Sequence, residues 1–353
     1  MNVLIDTGKL KDLYSGLGQV SLHFGKTIAT LQEPALHFTF LVPAGSEGMF
    51  GNNVSYITDT IWNRLQLKFF GHQHFQLLHY LHQDVKNWLR PSSLPYIVTL
   101  HDLNFLYHKS PSKAAGYLKR LDTLLQEAQH ICCISQFTAK DVREHVKSLN
   151  TPVSVIYNGV EDLHQVEAVK PGINLPENYL FSIGVLHPKK NFEQLISMMP
   201  YLTQHTLVIA GNGDEAYKAQ LVQRMKTLGV TDRVVFTGTV NAQEKKWLYE
   251  RCTAFVFTSK AEGFGLPVIE AMQLGKPVFL LNSTSLPEIG STHAHYWNKD
   301  DSGEVMAQKL KEGLTVFHKQ LHAAEEMKQY ASKFTWQENT LAYSHLYRQL
   351  VRN

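Results

Sequence analysis

The chain alternates short apolar runs with longer stretches in which apolar residues recur at helical spacing. Ten of the runs are rich in β-branched and aromatic residues and predict buried strands: 3–6, 38–42, 96–100, 130–134 and 153–157 in the first half, and 179–184, 206–210, 234–237, 254–258 and 277–281 in the second. Near-continuous apolar strands separated by helices are typical of parallel sheets covered on both faces. The pattern therefore predicts an α/β protein with two doubly wound, Rossmann-like sheets.

A polar stretch with prolines, residues 159–176, separates the two series of strands and predicts a linker. At 353 residues the chain is long enough for two domains, each with a full core. We expect an N-terminal domain at 1–160 and a C-terminal domain at 161–335, facing each other across a cleft. The last segment, 336–353, has aromatic and leucine residues at helical spacing, and we expect a helix that packs back towards the N-terminal domain.

Composition narrows the class of protein. Hydrophobic residues make up 44% of the chain and charged residues 18%, as in globular proteins. The formal charge of +3 is spread without a block of Lys or Arg, which argues against a dedicated nucleic-acid binder and still permits an anionic ligand. Three cysteines fit neither a disulfide framework nor a zinc site and favour a reducing compartment. A strand-like start, and no run of about 18 apolar residues, predict a cytoplasmic protein.

Residues 259–275 give the strongest indication of a binding site. The predicted strand 254–258 leads into a glycine-rich turn, a helix predicted over 267–274 follows, and the strand 277–281 comes next. The turn therefore lies at the carboxyl end of a strand, where open α/β sheets bind their ligands. Partial positive charge at the start of the helix favours a phosphate there.

Two glutamates flank this turn, Glu262 before it and Glu270 about one helical turn inside. Carboxylates accept hydrogen bonds from hydroxyl groups, so a ligand with hydroxyls on both sides of a diphosphate, such as a nucleotide sugar, fits the pattern. The backbone N–H groups that would meet the anion are those of Gly263, Phe264 and Gly265. The alternative is a chance spacing in which Glu270 is only a solvated helix residue.

Two further glycine turns follow predicted strands. Gly16 and Gly18 lie between the first strand and a helix expected to begin near Val20, and Gly211 and Gly213 follow the strand 206–210. Glycines at such places let the backbone approach a ligand closely. An isolated Gly-x-Gly is weak evidence, so an ordinary loop is an equal alternative at both sites.

Polar side chains follow two other predicted strands. His101 and Asp102 come just after a buried strand of the first half, where a histidine either donates to a sugar hydroxyl or simply caps the strand. Lys189 and Lys190 follow the first strand of the second half. Lysines are usually solvated, but at the same sheet edge as Glu262 they are placed to neutralise a diphosphate.

The stretch 62–88 is rich in aromatic, basic and histidine residues. Four histidines, at 72, 74, 79 and 82, raise the possibility of a metal site, but no carboxylate-rich pocket accompanies them, and we predict a partly exposed helix face. The aromatic and basic residues suit an amphipathic acceptor or a membrane surface, or a helix packed on its own domain. The chain has no Asp-x-Asp signature of a metal-held diphosphate, so we expect no metal or other cofactor.

Several ordered motifs resemble those of a known family. They are Ile134-Ser-Gln-Phe-Thr138, Tyr157-Asn-Gly-Val-Glu161, Pro188-Lys-Lys-Asn191, Gly211-Asn-Gly213, Glu262-Gly-Phe-Gly-Leu-Pro-Val-Ile-Glu270-Ala-Met and Ser285-Leu-Pro-Glu288. Together they resemble the retaining family 4 glycosyltransferases of GT-B architecture, over almost the whole chain. The resemblance implies a GT-B fold, a nucleotide-diphosphate sugar donor bound by the C-terminal domain and an acceptor bound by the N-terminal domain.

The resemblance also implies roles for four side chains. Glu270 falls on the glutamate that binds the ribose hydroxyls of the donor, and Glu262 on the glutamate beside the transferred sugar. Lys190 falls on the phosphate-binding lysine, and His101 on the histidine near the donor sugar. Glu262 and His101 would position the sugar electrostatically, since no side chain is placed as a covalent nucleophile.

Backbone groups would complete the donor site. By the same resemblance, Phe264, Gly265 and Leu266 would meet the sugar and phosphate through their N–H groups. Gly16 and Gly18 fall on a loop near the diphosphate.

The chain departs from many members of the family at Val185, where they carry an arginine after the glycine of the phosphate motif. It looks closer to a sub-group with Pro-Arg-Lys-Asn, in which Lys189 takes the place of the extra cation. That sub-group contains many mannosyltransferases, so GDP-mannose is weakly favoured as donor over a UDP-sugar. Two lysines lack the bidentate geometry of a guanidinium, which leaves the strength of phosphate binding open.

The resemblance implies transfer of a hexose to a saccharide or lipid-linked saccharide, with retention of the anomeric configuration, in polysaccharide biosynthesis. It also implies a cytoplasmic enzyme that could make peripheral contact with the inner face of a membrane. The alternatives are a nucleotide-sugar epimerase of the same plan and a nucleotide-sugar-binding protein without catalysis. A nicotinamide dehydrogenase is disfavoured, because no Gly-x-Gly-x-x-Gly with a later acidic residue follows the first strand.

Overall fold

The predicted alternation of strands and helices is present in the computed structural model of the protein, which describes residues 1–13, 15–85, 89–91, 93–146 and 149–352. The strands are β1 Asn2–Asp6, β2 His37–Val42, β3 Ser55–Thr58, β4 Leu77–Tyr80, β5 Tyr96–Leu100, β6 His130–Cys133, β7 Val153–Val155, β8 Tyr179–Ile183, β9 Thr206–Ala210, β10 Val234–Gly238, β11 Ala254–Phe257, β12 Val278–Leu281 and β13 His295–Trp297. The helices are α1 Gly16–Ile28, α2 Ile61–His74, α3 Phe105–His108, α4 Pro111–Gln126, α5 Gln136–His145, α6 Phe192–Met198, α7 Glu215–Thr227, α8 Ala242–Arg251, α9 Leu266–Gln273, α10 Leu286–Gly290, α11 Gly303–Lys319, α12 Ala323–Ala331 and α13 Trp336–Arg352.

Two compact units share these elements, one formed by Met1–Glu161 with Phe334–Asn353 and the other by Asp162–Lys333. In the described residues of the first unit, seven strands form a parallel sheet in the order β3-β2-β1-β4-β5-β6-β7. The strands of the second unit form a parallel sheet in the order β10-β9-β8-β11-β12-β13. Parallel sheets joined by helical crossovers confirm the predicted α/β class with two Rossmann-like units.

Three helices of the first unit, α2, α4 and α5, pack on the same side of its sheet, because all of them contribute to one apolar core. Their contributions are Leu67, Leu121, Leu124, Leu125, Ala139 and Val142. The C-terminal helix α13 contacts α1. The ring of Tyr343 packs edge-on against Phe24, with centroids 5.3 Å apart, so one side of α13 is buried in this unit.

The prediction of an exposed helix face for the four histidines is wrong for two of them. His72 and His74 are exposed on α2, but His79 lies on β4 in the middle of the sheet and is fully buried, and His82 is buried just past that strand. Burial lowers the pKa of His79 to about 3, so the ring is neutral, and its Nε2 lies 2.8 Å from the hydroxyl of Thr99. Strand β4 is buried on both faces, so it lacks the alternation that distinguishes a strand from a continued helix.

The prediction also omits the strands β3 and β13. Both have three or four residues, and most of their side chains are only partly buried, so neither produces an apolar run. The predicted aromatic stretch 62–88 divides into α2, β4 and a loop, and its last members, Lys86 and Trp88, lie outside the described residues.

Helix α1 begins four residues earlier than predicted. Ser15 caps it by accepting a hydrogen bond from the N–H of Gly18 at 3.1 Å, so Gly16 and Gly18 form its first turn and not a loop before it. The low helix propensity of glycine hides this turn in the sequence. A Cβ at Gly18 would lie 1.9 Å from the carbonyl oxygen of Asp12, whereas Gly16 has open space around it.

Candidate functional site

The sheet of the second unit has a topological switch between β8 and β11. Strands β9 and β10 extend the sheet on one side of β8, and β12 and β13 extend it on the other side of β11. The loops that follow β8 and β11 therefore lead away from each other, towards opposite edges of the sheet. They leave a crevice at the carboxyl ends of the strands, where open α/β sheets bind ligands. The loop after β8 carries Lys189 and Lys190, and the loop after β11 carries Glu262.

Hydrogen bonds between these two loops bring their side chains together. The hydroxyl of Thr258 donates to the carbonyl of Asn191 at 2.9 Å, and the N–H of Lys260 donates to the carbonyl of Lys189 at 2.8 Å. Asn191 adopts a left-handed conformation, with φ of 57°, directly after the short helical turn Pro188–Lys190. Asparagine tolerates this conformation better than most residues, and the turn directs Lys190 towards Glu262.

Lys190 and Glu262 form an ion pair in this crevice. The ammonium group donates to the carboxylate and also lies 4.9 Å from the centre of the Phe257 ring, and the two side chains are only 13% and 15% exposed. Burial by itself raises the pKa of Glu262, but the charge and hydrogen bond of Lys190 outweigh it, with help from Ser259 and Lys189, so the pKa is held below its usual value. The carboxylate and the cation are therefore already paired in the absence of a ligand, and both remain slightly exposed to solvent.

The turn after Glu262 is held in place by hydrogen bonds to the residues that follow β12. The buried hydroxyl of Ser285 lies within hydrogen-bond distance of the carbonyls of Glu262 and Phe264, at 3.0 and 2.9 Å. The N–H of Glu262 donates to the hydroxyl of Thr284 at 3.0 Å. Gly265 has φ of 114°, which a residue with a Cβ rarely adopts, and it leads into α9. The ring of Phe264 is buried, so only its backbone is available to a ligand.

Helix α9 begins at Leu266 and ends at Gln273, one residue earlier at each end than predicted. Glu270 on this helix is 8% exposed, so the alternative of a solvated glutamate is wrong. Each of its two carboxylate oxygens accepts a hydrogen bond: the charged ammonium of Lys245 donates to one at 2.6 Å, and the neutral hydroxyl of Tyr249 donates to the other at 2.9 Å. Glu270 is thus held in a defined orientation before any ligand binds.

Lys245 and Tyr249 are the site residues that the sequence analysis missed. They lie four residues apart on α8 and so share one face of that helix. Burial, reinforced by the charge of Glu270, raises the pKa of Tyr249 well above its usual value, so this hydroxyl stays protonated and donates. The i, i+4 spacing of these two residues is visible in the sequence. Their contact with Glu270 is not, because it arises only when α8 packs against α9 in the folded protein.

The glycines of the β9 loop let two stretches of backbone touch. A Cβ at Gly211 would lie 2.1 Å from the carbonyl oxygen of Gly184, and one at Gly213 would lie 2.4 Å from that of Leu186. The N–H of Leu186 donates to the carbonyl of Asn212 at 3.0 Å in the same contact. These glycines therefore have a packing role in supporting the loop that carries Lys190.

We expect Gly213→Ala to lower the free energy of unfolding by about 1–3 kcal/mol, because the new methyl group would overlap backbone that cannot rotate away. Gly172→Ala is the matched control, since a Cβ there meets nothing within 4 Å and the change should be neutral or slightly stabilising. Urea unfolding of both variants measures the difference. Equal stabilities would show that the loop contact is not needed.

The remaining predicted residues lie in the first unit. His101 follows β5 and is buried, and its Nε2 lies 2.7 Å from the carbonyl oxygen of Leu81. A carbonyl only accepts, so Nε2 carries the hydrogen, and burial lowers the pKa of His101, which keeps the ring neutral. Nδ1 can then only accept, so donation from His101 to a sugar hydroxyl, one of the two alternatives, would require the other tautomer. Asp102 accepts from the N–H of Asn104 at 2.9 Å, as in a local turn.

Two further features bear on metal and membrane. Within the described residues, one group of three potential metal ligands lies close together, formed by Asp141, Glu144 and His145 on α5, and none of them belongs to the crevice of the second unit. No helix in the described ranges has both the length and the apolar character needed to cross a bilayer.

Comparisons with known proteins agree with this geometry. Residues 165–334 match the family model "Glycosyl transferases group 1", and residues 42–162 match "Glycosyltransferase Family 4". The serotype-specific mannosyltransferase WbdA of Escherichia coli is 27% identical over 263 residues, which are 68% of this chain and 32% of that protein. The O-antigen chain mannosyltransferase RfbU of Salmonella typhimurium is 29% identical over 206 residues, 58% of this chain and 57% of that protein. The chain thus spans between about a third and somewhat over half of these relatives.

Solved structures share the fold over its full length. Sucrose-phosphate synthase from Thermosynechococcus elongatus superposes with a TM-score of 0.79 at 19% identity, covering 100% of this chain and 99% of that one. Anabaena HepE in complex with UDP-glucose gives a TM-score of 0.76 at 18% identity, covering 99% and 100%. The epimerase alternative finds no support among these proteins. The fold is thus the GT-B architecture, and glycosyltransferase family models match the chain over residues 42–162 and 165–334.

Proposed function

We propose that the protein transfers a hexose from a nucleotide-diphosphate sugar to a saccharide or lipid-linked saccharide, with retention of the anomeric configuration. The observation that carries this proposal is the pair of preformed carboxylates at the switch point of the second sheet, Glu262 beside Lys190 and Glu270 between Lys245 and Tyr249. Carboxylates on both sides of a helix start suit a ligand with hydroxyl groups at both ends and an anion in the middle.

The donor would lie along this crevice with its nucleoside towards Glu270. The ribose hydroxyls would donate to the oxygens of Glu270, and the diphosphate would meet Lys190, Lys189 and the N–H groups at the start of α9. The sugar would then lie beside Glu262. Negative charge accumulates on the diphosphate as its bond to the anomeric carbon breaks, and the lysines stabilise that charge. Because they supply the neutralisation, we propose that no metal ion is required.

In the reaction, the acceptor hydroxyl would attack the anomeric carbon from the face that the diphosphate leaves. A carbon–oxygen bond forms to the acceptor while the bond to the diphosphate breaks, and a phosphate oxygen takes the proton of the acceptor. The segment 161–335 would bind the donor and the segment 1–160 the acceptor. His101 would position the sugar as a hydrogen-bond acceptor, through Nδ1.

We propose GDP-mannose as the first donor to test and a UDP-sugar as the second. The mannosyltransferase names of the WbdA and RfbU relatives and the Pro188-Lys-Lys-Asn191 motif favour the former, and the UDP-glucose complex of HepE keeps the latter open. A cytoplasmic enzyme in peripheral contact with the inner face of a membrane, working in polysaccharide biosynthesis, would meet a lipid-linked acceptor there.

Thermal unfolding with a panel of GDP, UDP, ADP and their sugar conjugates tests the donor site. A ligand that binds only the folded state stabilises it by about 2.7 kcal/mol at a hundredfold excess over Kd, so one nucleotide family should raise the midpoint clearly. The same shift is expected with EDTA present. A folded protein that responds to no nucleotide would contradict the donor site, and loss in EDTA with recovery in manganese would contradict the metal-free site.

A further inference from the structure

The last turn of helix α5 groups three side chains of the kinds that bind transition metals. Asp141, Glu144 and His145 follow the spacing i, i+3, i+4, so they share one face of the helix. One ligand atom from each lies within 4.8 Å of the other two. Around a tetrahedral zinc ion, ligand atoms are about 3.4 Å apart when each lies about 2.1 Å from the metal. Glu144 and His145 are exposed, so their side chains are free to rotate over the remaining distance.

The buried carboxylate of Asp141 is only half satisfied. The residue is 3% exposed. Its Oδ1 accepts a hydrogen bond from the hydroxyl of Tyr107 at 2.6 Å, but Oδ2 is buried and has no hydrogen-bond partner among the described residues. Burial raises the pKa of Asp141, although the hydrogen bond from Tyr107 opposes that effect. A buried acceptor without a partner costs free energy, and a cation bound at Oδ2 would remove that cost.

The surroundings of Asp141 suit a cation. Nδ1 of His145 lies 2.9 Å from the carbonyl oxygen of Asp141, and a carbonyl only accepts, so Nδ1 carries the hydrogen and Nε2 keeps its lone pair. Histidines that bind metals usually donate their other N–H in this way. Helix α5 ends at His145, and the partial negative charge at its carboxyl end favours a cation as well. Lys140 lies 3.7 Å from Glu144, but both side chains are exposed, so this ion pair competes only weakly.

We propose that Asp141, Glu144 and His145 form a binding site for a Zn²⁺ ion. One nitrogen and two carboxylate oxygens suit zinc, whereas magnesium and calcium prefer oxygen ligands alone. Three protein ligands leave the fourth position of the ion to water. The ion would neutralise Asp141 at Oδ2 while Oδ1 keeps its bond to Tyr107 of α3, so it would stabilise the contact between α5 and α3. The site belongs to the first unit, apart from the donor crevice, and does not depend on the proposed reaction.

Calorimetric titration of the full chain with zinc chloride, after removal of metals with EDTA and dialysis, tests the proposal. We expect one Zn²⁺ per chain at the tightest site, which excess Mg²⁺ or Ca²⁺ does not displace. Glu144→Gln/His145→Gln should weaken this binding by more than about a hundredfold, because changes outside the ligand shell alone cost about 10–100-fold. The matched control Glu312→Gln/His318→Gln changes the same residue types at exposed positions of α11 and should bind as the wild type does.

Thermal unfolding gives a second measurement on the same three proteins. A ligand that binds only the folded state raises the midpoint, so zinc should raise it for the wild type and the control but not for Glu144→Gln/His145→Gln. Nucleotide-induced shifts should be equal in all three, which separates this test from that of the donor site. A wild type that binds no zinc, or undiminished binding by Glu144→Gln/His145→Gln, would overturn the proposal. Equal losses in that variant and in the control would overturn it too, since zinc would then bind exposed histidines in general.

Discussion

Glu270→Gln should weaken binding of the donor nucleotide by about a hundredfold, to a similar extent for the free nucleoside diphosphate and for its sugar conjugate. Each hydrogen bond from a ribose hydroxyl to a charged carboxylate contributes about 1.5–3 kcal/mol, and the neutral amide accepts more weakly at only one atom. The sugar makes no difference because Glu270 is expected to touch only the ribose. Isothermal titration with both ligands measures the two affinities.

The same substitution also leaves Lys245 without its carboxylate partner, so loss of stability has to be separated from loss of binding. Lys245→Met/Glu270→Gln removes both charges of this mostly buried pair and should recover stability without recovering nucleotide affinity. Glu215→Gln, on a side chain that is 80% exposed, is the control for a neutralised glutamate and should bind as the wild type does. Wild-type affinity in Glu270→Gln, in a folded protein, would remove Glu270 from the donor site.

The sequence predicts the second unit better than the first, and the reason is local. In the second unit the strands β8, β9 and β11 are nearly continuous apolar runs, and each is followed by a loop with Gly, Pro or Asn, so the sequence predicts both the strands and the loops. In the first unit β4 is a four-residue strand that contains a buried histidine, and it continues from α2 without a clear break. Helical and strand patterns are not distinguishable over so short a run.

The residues of the candidate site also fall into those that the sequence predicts and those that it does not. Glu262, Lys190 and Glu270 were predictable because each lies on a short motif beside a strand end. Lys245 and Tyr249 were not, since their role arises only when α8 packs against α9. The direction of the hydrogen bond of His101 was also beyond the sequence, because it depends on a carbonyl twenty residues away in the chain, at Leu81.

Lys190→Met should lower the rate of sugar transfer by about 10²–10³-fold, the range found when one group that stabilises developing negative charge is removed from an active site. It should also weaken binding of the nucleoside diphosphate more than binding of the nucleoside, because Lys190 is expected to touch the phosphates alone. Glu262→Gln, in contrast, should retain nucleotide affinity and lose transfer. Single-turnover rates and titrations with nucleoside and nucleoside diphosphate separate the two effects.

The pH dependence of stability provides an independent test of the same pair. In the wild type burial by itself would raise the pKa of Glu262, but Lys190 holds that pKa below its usual value. The ion pair therefore stabilises the folded state at neutral pH, and this stabilisation is lost as the pH falls through the lowered pKa. In Lys190→Met only Ser259 and Lys189 still oppose the effect of burial, so we expect the pKa of Glu262 to rise and the buried carboxylate to destabilise the variant at neutral pH. The gap in stability between variant and wild type should therefore be widest near pH 7 and narrow as the pH falls towards the ordinary range of a glutamate. A gap that does not change with pH would mean that Lys190 acts on stability through packing against Phe257, and not through the charge of Glu262.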